Sequence, residues 1–81
     1  MTYWYLSFCD PDRREGDKFL GGCIVVAATM PDAIREAWSR GCNPGGEVFG
    51  HAVPKNYEHN VARFGVNVLL TKDQLRMLDD Q

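Results

Sequence analysis

Residues 19–41 read FLGGCIVVAATMPDAIREAWSRG, and two periodicities meet inside this stretch. Up to Ala28 it is almost continuously apolar, with Ile24, Val25 and Val26 as a β-branched run. Such a run fits a strand covered on both faces; a buried helix is the other reading, and the branched residues with the paired glycines favour the strand. Gly21 and Gly22 would weaken a strand interior, so they predict a bulge there, or close approach of another backbone or a ligand. From Thr29 the period changes. Thr29 can cap a helix, Pro31 is tolerated in its first turn, and Asp32 complements the helix dipole and can reach back to the cap. Met30, Ala33, Ile34, Ala37 and Trp38 then share one face at helical spacing, and Gly41 stands where a left-handed terminating residue is wanted. The stretch predicts a strand followed by a helix over residues 30–40.

Upstream, residues 3–9 are rich in aromatic residues and run into Asp10-Pro11-Asp12, which reads as a first strand and its stop. Alternation places Trp4, Leu6 and Phe8 on one face, the better candidate for the core, and Tyr3, Tyr5, Ser7 and Cys9 on the other. Residues 10–17 form a charged loop. Downstream, Cys42-Asn43-Pro44-Gly45-Gly46 is loop by composition, residues 47–53 alternate well enough for a third strand, and Pro54 ends it. Residues 55–63 suggest a short helix bringing Tyr57, Val61 and Phe64 together and stopped by Gly65; residues 66–70 fit a short strand or an apolar connector. Thr71-Lys72-Asp73-Gln74 has the capping-box pattern, with Leu75 and Leu78 as the apolar edge of a last short helix. The fold expected is α+β: a small antiparallel sheet of three or four strands on one main helix, with a short helical C-terminal tail, all in a single domain over residues 1–81.

A chain of 81 residues has room for one core, and it buries only about two-thirds of its unfolded surface, which makes self-association an expectation. With one helix on the sheet, its other face must meet solvent, the tail or a second subunit; apolar surface such as Tyr3, Tyr5 or Val26 is expected to need a partner, so a homo-oligomer is predicted. Composition is that of a folding chain, with 44% hydrophobic and 25% charged residues. The net charge of −2, interspersed along the sequence, disfavours duplex nucleic acid. The N-terminus lacks the features of a signal peptide and no apolar run approaches a membrane span, which predicts a cytoplasmic protein with no membrane partner. Cys9, Cys23 and Cys42 are odd in number and widely spaced, fitting reduced thiols, and no Cys-x-x-Cys or His-x-x-x-His pair brings two of them, or His51 and His59, together locally as zinc ligands. Neither a metal nor a cofactor is expected.

The most distinctive local feature is Asn43-Pro44-Gly45-Gly46-Glu47, where consecutive glycines let backbone N–H groups converge on an anion. It leaves a helix C-terminus and enters a strand, so it is not the phosphate loop of an NTPase, and a tight helix-to-strand reversal explains it as well. Gly41 already turns the chain out of the helix, so Gly45 and Gly46 are expected to meet a ligand or partner. Tyr3, Tyr5 and Trp38 are candidates to stack a base, with Arg13, Arg14 and Lys18 near for phosphate. Against this, Trp38 lies on the apolar helix face, and both arginines stand among Asp10, Asp12, Glu15 and Asp17. Cys42 with His51 or His59 is the one conceivable nucleophile and base, but a thiolate at a helix C-terminus meets the wrong end of the dipole. No catalytic residue is assigned, and a small Cys/His hydrolase is the least favoured reading.

Trp4-Tyr5-Leu6-Ser7-Phe8, Phe19-Leu20-Gly21-Gly22-Cys23-Ile24-Val25 and Asn43-Pro44-Gly45-Gly46-Glu47-Val48 together resemble a pattern in small uncharacterised proteins of phages and prophages, which has no established activity. The resemblance covers about the first two-thirds of the chain. It implies a context rather than a site: a compact phage-type protein that binds instead of catalysing. The reading favoured is an anti-defence sponge that sequesters a cyclic or ADP-ribose-like nucleotide in the host cytoplasm. The alternative is an inhibitor that masks a host enzyme through its sheet face or edge.

Overall fold

Strand β1 (Thr2–Cys9) pairs with neighbours on both sides, and that central place organises the molecule. The computed structural model describes residues 1–62, 65–71 and 73–74. It shows an α+β fold in which β1 lies between β2 (Phe19–Ala27) and β3 (Glu47–Ala52), antiparallel to both, in the order β2-β1-β3. Helix α1 (Met30–Ser39) packs on one face. A single 3-10 turn (Lys55–Tyr57) and a five-residue helix α2 (Glu58–Ala62) follow β3. No helix among the described residues is long and apolar enough to cross a membrane.

The expected alternation of β1 holds. Leu6 and Phe8 are fully buried beneath α1 with Cys23, Val25, Ala33 and Ala37, each large side chain contributing about 1.5–3 kcal/mol. Trp4 packs against this cluster and its indole N–H donates to the Ala27 carbonyl at 3.1 Å.

Of the three covers open to the opposite face, the tail supplies much. Tyr3 and Tyr5 are packed against a second cluster of Ile24, Val53, Val61 and Leu70, so the chain's own later segment covers much of the surface assigned to a second subunit. Val26 is half-buried.

Helix α1 begins and ends as the sequence predicts. The Thr29 hydroxyl accepts from the Asp32 N–H at 3.3 Å. At the other end the Cys42 N–H donates to the Ala37 carbonyl and the Gly41 N–H to the Trp38 carbonyl, with Gly41 at φ 73, a complete Schellman motif. Trp38 departs from the apolar-face reading, being 61% exposed. The small residues Ala33 and Ala37 make the line of contact, and Trp38 lies roughly 120° around the helix from it.

The glycine pair of β2 does both things anticipated. Pairing slips opposite Phe8 and Cys9, leaving Leu20 as the bulged residue before Gly21 at φ 134. Gly22 meets a returning backbone: its N–H donates to the Leu70 carbonyl at 3.0 Å and its carbonyl accepts from the Leu70 N–H at 2.6 Å. Asn67 adds a bond to the Ile24 carbonyl at 2.8 Å. Residues 66–70 are therefore a connector with one isolated bridge. Tyr57 is 54% exposed and does not join buried Val61; the reason is the 3-10 turn, which changes the angular step before α2 starts. The capping box holds at its visible end, Thr71 and Gln74 exchanging bonds of 2.8 and 3.3 Å. Phe64, Leu75 and Leu78 lie outside the described residues.

Candidate functional site

Two loops meet at one end of the sheet, because Cys9 pairs with both Phe19 and Glu47. One is residues 10–18, with Arg13 and Arg14; the other is residues 43–46, with Asn43, Gly45 and Gly46. Helix α1 runs back to this end and brings Trp38 and its last turn with it. Topology thus gathers Arg13, Arg14, Trp38 and the glycine loop at one end. Tyr3 is separated from them, six strand residues or roughly 20 Å from Cys9 along β1. Tyr3 and Tyr5 also lie on the sheet face away from α1. The anticipated base-stacking set is therefore divided.

Local chemistry at the loop end is largely internal. Arg14 faces Asp17 at 3.7 Å and Lys18 faces Glu15 at 3.4 Å, both pairs exposed. The Asp10 carboxylate accepts from the Asp12 N–H at 3.0 Å. The Gly45 N–H, which an anion would need, donates to the Asn43 side chain at 2.8 Å. Gly45 and Gly46 adopt φ of 92° and 78°. A Cβ on Gly46 would sit 2.5 Å from the Cys9 carbonyl oxygen. The close approach expected of this glycine is made by the chain's own β1, which gives Gly46 a structural reason independent of any ligand.

The thiols and histidines are held apart. Cys42 is buried on the α1 side, where its Sγ lies 3.6 Å from the Ala37 carbonyl; His51 is exposed on the other face, beside the Tyr5 ring at 5.4 Å. His59 belongs to α2, on that same far side. Burial, with the Cys42 thiol beside it, pushes the Cys23 thiol up to about 12, the reverse of what activates a nucleophile. Among the described residues no three His, Cys, Asp or Glu side chains converge to hold a metal ion.

A shallow groove of about 310 Å³ runs between α1 and the end of β2, lined by Met1, Val26, Asp32, Arg35 and Glu36 among others. Arg35 is bonded there to Asp32, whose carboxyl is held below the usual range by Arg35 and then by the Thr29 hydroxyl. None of the residues anticipated for a nucleotide lines it.

The residue that sequence reading passed over is Phe49, on the third strand that it did expect. The Val53 N–H donates to the Tyr3 carbonyl at 2.8 Å, which makes Tyr3 and Val53 a hydrogen-bonded pair. By alternation Glu47, Phe49 and His51 also bond toward β1, while the N–H and C=O groups of Val48, Gly50 and Ala52 point to the opposite edge, along which no described residue pairs. Phe49 stands on this strand 59% exposed, across from Ser7 and two residues from His51. The available signal was Phe49 itself, the one large apolar residue on the polar side of Glu-Val-Phe-Gly-His-Ala. No family model matches the chain, and neither a curated protein nor a solved structure does so at a significant level.

Proposed function

We propose that this is a non-catalytic binding protein whose target is another protein, docked on the half of the sheet face around Phe49. The observation that carries the reading is Phe49 at 59% exposure on an edge strand whose outer side no described residue pairs, since large aromatic residues in such positions anchor protein interfaces. The resemblance to phage proteins supplies the context, a host protein that is masked. Nucleotide sequestration is the second reading. Its support is the gathering of Arg13, Arg14, Trp38 and the loop of Asn43, Gly45, Gly46 and Glu47 at one end; the in-house pairing of Arg14 and of the Gly45 N–H weighs against it.

Two measurements on the same preparation separate the readings. Thermal-shift screening against cyclic dinucleotides and ADP-ribose is expected to move the midpoint by nothing measurable, and a large specific shift would transfer the function to the loop end. Capture of a defined host protein is expected to fall at least tenfold in Phe49→Asp, with the unfolding midpoint retained. Equal capture by wild type and Phe49→Asp would end the docking reading.

A further inference from the structure

We infer that the edge of β3, left without a partner among the described residues, is closed by a second copy of this chain, paired antiparallel about a two-fold axis beside Phe49. The inference deepens the docking reading and rests on it for what the joined face does.

The edge-facing groups fix which pairings are possible. Only Val48, Gly50 and Ala52 present backbone groups outward, so they alone can form the hydrogen-bonded pairs of an added strand. Among them, the Ala52 carbonyl already lies 3.2 Å from its neighbour's imidazole, at His51 Nδ1. Of the pairings that leave Ala52 to that contact, the one that uses both other outward-facing residues sets Val48 opposite Gly50 of the second copy, and Gly50 opposite its Val48. Every other position then follows. Phe49 meets Phe49 of the second copy on the axis, in the closely spaced, non-hydrogen-bonded position where side chains touch best. Glu47 meets His51 and His51 meets Glu47, so a carboxylate opposes an imidazole twice. The strand is complementary to its own reverse, as an isologous interface requires. A shift that sets Gly50 opposite Gly50 would place Glu47 against Val53 and draw on the Ala52 carbonyl beside His51, and the opposite shift, Val48 on Val48, would set Glu47 against Phe49 and take Gly50 out of pairing with Val48.

The consequence is a six-stranded sheet with both α1 helices on one side. On the other side two Phe49 rings, flanked by His51 against Tyr5 in each copy, merge into one continuous face. The middle strands of the pair present no free edge.

Sedimentation velocity over a range of protein concentrations tests the pairing. Wild type is expected to move from the 9.2 kDa monomer to twice that mass as concentration rises. Glu47→Lys should raise the dissociation constant about tenfold, the scale of one facing charge reversal at each symmetric position. His51→Glu should do the same, and the double variant Glu47→Lys with His51→Glu should recover most of the loss. Circular dichroism melting on each variant separates lost pairing from lost folding. A wild type that stays at 9.2 kDa throughout, or a double variant no better than either single one, would overturn the inference. A monomer that still captures its target in a Phe49-dependent way would do so while leaving the docking reading in place.

Discussion

The two edges of the sheet are treated in opposite ways. Along β2 the chain returns, and Asn67 and Leu70 take up outward-facing groups of Ile24 and Gly22. Along β3 no described residue does this for Val48 or Gly50. What closes the first edge is the glycine pair: a Cβ at Gly21 would come within 3.0 Å of the Leu70 carbonyl, and one at Gly22 would come within 2.8 Å of the Tyr5 hydroxyl. The edge with no room for a Cβ at Gly21 and Gly22 is the one the chain seals itself. The edge that bears Glu47, Phe49 and His51 is left for something else, and unpaired edges in stable proteins are either blunted or occupied.

Breaking the closed edge should have the largest effect. Leu70 is 2% exposed in the second cluster, so Leu70→Ala is expected to cost about 2–4 kcal/mol in urea unfolding. Hydrogen exchange sharpens the contrast. The Gly22 amide should be protected at every concentration, whereas the Gly50 amide should exchange freely in dilute protein and slow as the concentration rises. Protection of Gly50 at all dilutions would mean that its edge is covered within one chain.

Next in size is Gly46→Val, where positive φ and the collision with the Cys9 carbonyl combine; a loss of about 2–3 kcal/mol is expected from denaturant midpoints. Its folded fraction should still bind the target, because the glycine serves the junction with β1 and not the face around Phe49.

Thr29→Ala should cost about 1 kcal/mol, the value of one N-cap. The Asp32 carboxyl in the same first turn titrates below its usual range because Arg35 and Thr29 hold its charged form. Its stabilisation is therefore present above the ordinary value of 3.8 and disappears as pH falls through the lowered one. A plot of unfolding free energy against pH should lose this acid-limb component in Asp32→Asn.

The smallest effect at neutral pH concerns Cys23. Its folded-state value is raised, so burial of the neutral thiol stabilises fully below the ordinary 9.0 and is lost progressively as pH climbs toward about 12. At pH 8 a thiol reagent should label half-buried Cys9 and leave Cys23 unmodified until the protein is unfolded.

Much of this was legible because it is local. The Ile24-Val25-Val26 run, the Thr29 cap and the Gly41 stop act within a few residues of themselves, so β2 and α1 could be read with boundaries accurate to one residue at the helix end. The alternation of β1 likewise assigned Leu6 and Phe8 to the core. Even the paired glycines announced a bulge or a close approach, since both exploit the missing Cβ. The site was less legible. Trp38 fits a helical face by spacing, yet only the packing of Ala33 and Ala37 decides where that face is centred. Arg13 and Arg14 with the glycine loop do share one end of the sheet, but Tyr3 and Tyr5 do not join them.

Local sequence was enough for β1, β2, β3 and α1, for the start and stop of α1, and for the side of β1 that enters the main core, because propensity, capping and period are properties of neighbours along the chain. Only the tertiary contacts settle that β1 is central, that residues 66–70 seal β2, that Tyr3 and Tyr5 receive a cover from Val61 and Leu70, and that no described residue pairs with the outer edge of β3. Those outcomes depend on contacts between residues up to about sixty-five positions apart, such as Tyr5 and Leu70 in one cluster. No local pattern encodes which of several apolar segments will win such a contact, since each must recover its own loop-closure entropy in competition with the others.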